Sequence, residues 1–356
     1  SYQHTLTQAQ ASINAGEKQQ ALQLLKQAVE QNSADPRPWL LMVYVAPTKK
    51  LALEYLERAR QCGAKILYYS QAKRWIENFY GETLLEEVPP TPGLVDRIRE
   101  SLDRSPELVA LVYLAFLAQA EATIVARNPS IGMVMHGLCL AILLIHASFF
   151  SKKRSQPFLL SLALTPLIRL ISLTLPLNEF PLVYWYAIVG TPLFLATYLM
   201  VRTTHITNRQ IGLTAKSIPV QILIGLAGIL LGYLEYLILR PQPLVDQFRF
   251  GDIILPALML LIFTGFLEEL IFRGLLQHSA NLFIGRWGIL YVAFIFAIFH
   301  FGYQSYADFF FVLLVSLLFS YIVHKTGSIV GVTLAHGLTN IFLYLIFPFI
   351  IIAQIN

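Results

Sequence analysis

The 356-residue sequence predicts an all-α protein in two parts: a polytopic transmembrane helical bundle of about eight or nine spans, preceded by a small soluble helical-repeat-like domain. Three observations carry this expectation. Hydrophobic residues make up 56% of the chain and charged residues only 13%, whereas a soluble domain carries about 25% charged residues. So few charges cannot cover a water-facing surface of this size. The charges are also unevenly divided, with 25 in residues 1–104 and 22 in the remaining 252. Finally, apolar runs recur after residue 105, and a membrane-crossing helix needs about 20 such residues. The net charge of +5 is modest and reads as membrane topology, with no nucleic-acid partner implied. Cys62 and Cys139 fall in different parts, so no disulfide framework is available.

Residues 1–88 read as the soluble domain. Ala21, Leu22, Leu24, Leu25 and Ala28 place apolar residues on one helix face, and Ala52, Leu53, Tyr55, Leu56 and Ala59 repeat the pattern 31 residues later. Small residues at fixed helical positions let neighbouring helices approach closely. The pattern resembles tetratricopeptide repeats, which implies a possible protein partner for these helices. Residues 89–104 follow as a linker, Pro-rich through Pro89-Pro90-Thr91-Pro92-Gly93 and then charged and amphipathic.

Residues 105–356 form the membrane part. Spans are expected at 106–126, 129–150, 157–177, 180–201, 219–239, 253–277, 287–301, 308–324 and 328–353. Loop charges set the orientation. With the N-terminus in the cytoplasm, that side carries Lys152, Lys153, Arg154, Arg202, Arg209, Lys216, Arg286 and Lys325. The other side carries only Arg127, Arg240 and Arg249.

A charged group at membrane depth is costly and marks a functional site by default. Glu121, Arg169 and Glu235 are expected to serve structural ion pairs. A later cluster reads differently. Glu269 and Arg273 are four residues apart on one helix face and can pair. Glu268 points about 100° away, since each helical residue turns the chain by that angle. His300 ends the next helix, four residues after Phe296. His336 and Asn340 share one face of the last helix. At 1.5 Å per residue, Glu268 and His300 lie roughly 20 and 28 Å from a turn near Asn281, and His336 and Asn340 roughly 15 and 21 Å from a turn near Thr326. These depths allow the groups to converge.

Glu268-Glu269-x-x-x-Arg273, Phe296-x-x-x-His300 and His336-x-x-x-Asn340 resemble the three ordered motifs of the CPBP family, intramembrane proteases that include Rce1-like CAAX prenyl endopeptidases and bacterial Abi proteins. The resemblance is firm over about residues 250–345. It implies a catalytic set in which Glu268 and His300 activate a water, His336 and Asn340 stabilise the oxyanion, and Glu269 and Arg273 orient Glu268. It also implies a membrane-embedded or lipidated peptide substrate, a bacterial cytoplasmic membrane and no required cofactor. Zinc on Glu268, His300 and His336 is the alternative, although the His-Glu-x-x-His zinc signature is absent. No Gly-x-Ser-Gly segment suggests a serine nucleophile. Asp246, Asp252 and Asp308 sit at expected helix ends or loops, which disfavours an aspartyl dyad. A proton-relaying transporter would use the same buried charges but should show internal repeats, and none is visible. A catalytically idle scaffold or immunity protein is the remaining alternative, against which the intact motifs weigh.

Overall fold

The computed structural model describes residues 2–80, 94–152 and 154–352. Two compact units emerge, Ser1–Thr91 and Pro92–Asn356. The Pro-rich part of the expected linker, Lys153 and the last residue of the final expected span lie outside the described residues.

The described residues of the first unit form five helices: α1 (Tyr2–Asn14), α2 (Lys18–Gln31), α3 (Pro36–Val45), α4 (Lys49–Gln61) and α5 (Ile66–Tyr80). Each packs against its neighbour in sequence. Ala21, Ala28, Ala52 and Ala59 are fully buried. These small side chains admit the large ones around them, Leu25 with Met42 in one cluster and Leu56 with Ile76 in another. Asp35 caps α3 by accepting the Arg37 backbone N–H at 2.8 Å, with Pro36 at the first helical position.

The second unit opens with α6 (Leu94–Asp103), α7 (Pro106–Val125), α8 (Pro129–Ile145), α9 (Gln156–Thr174), α10 (Leu182–Thr204) and α11 (Ile218–Leu239). A continuous helical run then passes through α12 (Phe250–Met259), a π-helical segment Leu260–Phe266, α13 (Leu267–Glu269), a second π-helical segment Leu270–Leu276 and α14 (Gln277–Ile284). α15 (Gly288–Ile298), α16 (Tyr306–Thr326), α17 (Val330–Ile341) and α18 (Phe347–Ile352) complete it. No strand occurs among the described residues.

Among the described residues, eight helical stretches are long and apolar enough to cross a membrane. One of them, Phe250–Tyr303, holds two of the nine sequence-expected spans. The chain reverses within it at Gly285, whose φ of +61° suits a residue without Cβ. The turn expected near Asn281 therefore lies a full helical turn later. Polar His278 and Asn281 do not end the helix, because Ser279, Ala280, Phe283 and Ile284 remain buried on it.

Glycine sets how closely α11 meets α17. A Cβ on Gly228 would stand 2.1 Å from the Ala335 carbonyl oxygen, and one on Gly232 would stand 2.7 Å from that of Thr339. This is the Gly-x-x-x-Gly means of bringing membrane helices together when lipid removes the hydrophobic drive. A second close approach joins Gly265 to Gly337, where an added Cβ would be 2.9 Å from the facing Cα. These two contacts position the polar residues described below.

Two expectations follow. Gly228→Ala should destabilise the membrane unit by about 1–3 kcal/mol, the usual cost of overpacking. Gly137→Ala, with open space around it, should be near neutral in the same thermal unfolding measurement. In the first unit, the Arg37 side-chain hydrogen bond lowers the Asp35 pKa from 3.8 to about 2. A lowered carboxyl pKa contributes stability that is present above about pH 4 and lost as pH falls towards 2. Amide exchange in α3 should rise across that window, and Asp35→Asn should remove most of the dependence.

Candidate active site

Three helices bring the polar residues of the membrane unit together. The short α13 between the π-helical segments presents Glu268 and Glu269. α15 ends just before His300, and α17 carries His336 and Asn340. With Arg273, these residues line one cavity of about 120 Å³. All six sequence-predicted site residues therefore share one enclosure, but they divide into two sets.

Glu269 anchors the first set. It is fully buried, and its Oε1 accepts hydrogen bonds from Arg273 Nη1 at 2.9 Å and His336 Nδ1 at 2.8 Å. Arg273 Nη2 donates to Ser316 Oγ at 2.8 Å. The Arg273 guanidinium lies 4.1 Å over the Phe296 ring, a cation–π contact that strengthens when desolvated. The expected Glu269–Arg273 pairing is present. Glu269 additionally fixes His336, a contact that helix spacing does not reveal.

Glu268 and His300 form the second set. The Glu268 side chain is 32% exposed, and its Oε2 stands 4.0 Å from His336 Nε2. It makes no hydrogen bond among the described residues. His300 Nδ1 donates to the Phe296 carbonyl at 2.9 Å. A carbonyl only accepts, so Nδ1 carries the proton and the neutral ring keeps its lone pair on Nε2. The Phe296-x-x-x-His300 spacing thus has two physical roles. The Phe296 carbonyl sets the His300 tautomer, and the Phe296 ring supports Arg273.

Asn340 Nδ2 donates to Thr264 Oγ1 at 2.9 Å, and Thr264 donates to the Leu260 carbonyl. Thr264, four residues before Glu268 on the same face, was open to detection by spacing but was passed over. Tyr186, Tyr303 and Tyr344 also line the cavity and were missed. Their signal is weak, since aromatic residues are common in membrane helices. The Tyr303 and Tyr344 hydroxyls meet at 2.6 Å. Glu235, expected to pair structurally, lines the cavity with no hydrogen bond or ion pair among the described residues.

Glu121 and Arg169 do form the expected ion pair. Arg169 Nε donates to Glu121 Oε1 at 2.6 Å, and His136 Nε2 lies 3.2 Å from the same oxygen. Arg169 also donates to the carbonyl of Phe299, the residue before His300. The pair therefore braces the histidine turn from α7 and α9. A second cavity of about 470 Å³ adjoins the first, lined mainly by residues of α10 and of the helical run from Phe263 to Phe272. Glu268, His300, Tyr186 and Tyr303 line both cavities.

Glu268, His300 and His336 are the zinc-ligand set that sequence allows. Among the described residues, no three His, Cys, Asp or Glu side chains group closely enough to hold a metal ion.

The anchored set predicts a stability signature. Arg273→Leu leaves a buried carboxylate unpaired and should cost about 3–5 kcal/mol. Adding Glu269→Leu should restore part of that loss, as read by thermal unfolding of single and double variants.

Comparison with curated proteins and with solved structures finds no match. Residues 250–342 match the family model described as Type II CAAX prenyl endopeptidase Rce1-like. The matched stretch starts with α12, passes Asn340 and contains all six of the motif residues. Over this stretch the membrane unit is similar to Rce1-like CAAX prenyl endopeptidases.

Proposed function

We propose that the chain is an intramembrane endopeptidase that hydrolyses a peptide bond in a membrane-associated or lipidated, CAAX-like substrate, with a water activated by Glu268 and His300. One observation carries the reading. The Glu268 carboxylate and His300 Nε2 make no protein hydrogen bond among the described residues, and their side chains border both the polar cavity and its larger apolar neighbour. A lipidated peptide needs such an arrangement, with room for an apolar chain beside a place for water and a carbonyl.

The chemistry follows from the atoms present. A water held between Glu268 and His300 attacks the scissile carbonyl carbon and gives its proton to the carboxylate. The carbonyl oxygen gains negative charge and accepts hydrogen bonds from Asn340 Nδ2 and His336 Nε2. With both ring nitrogens protonated, His336 donates Nδ1–H to Glu269 and Nε2–H to the oxyanion. Collapse of the intermediate breaks the C–N bond, and the leaving nitrogen takes the proton from Glu268. Donors aimed at a developing oxyanion contribute about 3–4 kcal/mol each. Glu269 and Arg273 are positioning residues in this scheme, because Glu269 orients His336 and Arg273 holds Glu269. The reading is glutamate-dependent and metal-free, with Glu268 as the base.

The excess of Lys and Arg in the loops of one side supports a cytoplasmic N-terminus, and the family resemblance suits a bacterial cytoplasmic membrane. The helical first unit offers a place for a protein partner.

Cleavage of a lipidated peptide by the purified chain in lipid nanodiscs tests the proposal. Glu268→Gln and His300→Ala should each lower kcat by at least about a thousandfold, and Asn340→Ala by about a hundred- to a thousandfold. Undiminished cleavage by Glu268→Gln would reject the assigned base. A zinc chelator should leave the wild-type rate unchanged, and loss of activity restored by zinc would overturn the metal-free mechanism.

A further inference from the structure

A third cavity lies at the end of the membrane unit where α10, α14 and α16 finish. Its volume is about 150 Å³, and Arg209, Arg273, Gln277, His278 and His324 line it with no acidic residue. At about 30 Å³ per water, it holds roughly five waters or one phosphate group. The Arg209, His278 and His324 side chains make no hydrogen bond or ion pair among the described residues. Arg273, only 2% exposed, lines this cavity as well as the site cavity, and its Nε has no partner.

The walls are fixed in advance. The loop 205–217 is tied to the turn between α16 and α17: Thr214 Oγ1 donates to the Gly327 carbonyl at 2.9 Å, Ser328 Oγ donates to the Thr214 carbonyl at 2.6 Å, and the Ile329 N–H reaches the Gly212 carbonyl at 3.0 Å. The same loop packs against the long helical run, since a Cβ on Gly274 would stand 3.0 Å from the Ile211 carbonyl oxygen. The end of α16 contributes roughly half a negative charge from its last carbonyls. The Arg209 guanidinium, which has no ion pair among the described residues, outweighs it. Lys152 and Arg154 belong to this same end of the unit, where Arg154 donates to the Leu282 carbonyl at 2.5 Å.

We propose that this cavity is a binding site for a phosphate-type oxyanion, supplied by a lipid headgroup at this end of the bundle or by free phosphate. Arg209 and the two imidazoles donate at the mouth, and Arg273 offers its unpartnered Nε–H from the floor. Basic pockets between membrane helices bind anionic headgroups by this chemistry. Because Arg273 also holds Glu269, an occupied pocket bears on the carboxylate cluster from behind. By thermodynamic reciprocity, a ligand in the site cavity that shifts Glu269 would alter the anion's affinity. The assignment does not rest on the peptidase reading.

The test is binding to the full chain. Native mass spectrometry of detergent-solubilised protein is run with phosphatidylglycerol, with phosphatidylcholine as the zwitterionic comparison. Inorganic phosphate alone is followed in parallel by thermal shift. Retention of one phosphatidylglycerol per chain, at least tenfold weaker in Arg209→Gln and His324→Gln, identifies a lipid source. A phosphate-induced shift lost in the same variants identifies free phosphate. Arg209 and His324 are exposed, so the variants should keep wild-type melting in the absence of ligand. Arg249→Gln, at another loop, should bind like wild type. Binding of both probes that is equal in wild type and Arg209→Gln, or lowered equally by Arg249→Gln, would overturn the proposal.

Discussion

The membrane unit is organised around one buried carboxylate. Removing a charge such as Glu269 from water costs several kcal/mol, and the cost is met only by closely placed partners. Arg273 comes from the same helical run. His336 comes from α17, and Ser316 and Phe296 steady the arginine from α16 and α15. Four segments must therefore adopt one relative arrangement for the charge to be tolerated. The Gly265–Gly337 contact lies beside this cluster and lets the backbones come close enough for His336 to reach Glu269. Gly228 and Gly232 perform the same task on the other side of α17.

Once Glu269 is held, its neighbour is free. Glu268 and Glu269 are adjacent and chemically identical, yet one is locked in ionic hydrogen bonds and the other borders two cavities. Their division of labour comes from environment, as when paired carboxylates take separate acid and base tasks in other enzymes. The π-helical segments on each side of α13 change the helix winding where the two residues project, and π-bulges are frequent at functional sites. Arg169 supports the arrangement by holding the Phe299 carbonyl, so His300 is braced by an ion pair whose arginine borders the second cavity.

The helices were legible in the sequence because hydropathy and helical spacing are local properties. Apolar runs marked the membrane segments, and the four-residue steps from Glu269 to Arg273 and from His336 to Asn340 showed which side chains share a face. The match over residues 250–342 agrees with motifs read from those steps. What spacing missed was long-range. Nothing near Phe296 in sequence tells that its carbonyl sets the His300 tautomer while its ring carries Arg273. Thr264 and the three tyrosines look like ordinary membrane-helix residues until they border the cavity. Glu235 was expected to pair, but α11 delivers it to the cavity without a partner.

By itself the sequence determined that this is a helical, membrane-crossing chain with a polar N-terminal unit and six polar residues at compatible depths. Those properties depend on composition and on contacts within about one helical turn. Only the tertiary structure decided which carboxylate is buried and which is free, which nitrogen of His300 carries its proton, and that the final reversal falls at Gly285. The reason is physical. The fate of a polar group in an apolar interior depends on partners brought from distant segments, and glycine contacts between helices decide whether those partners arrive within hydrogen-bonding distance.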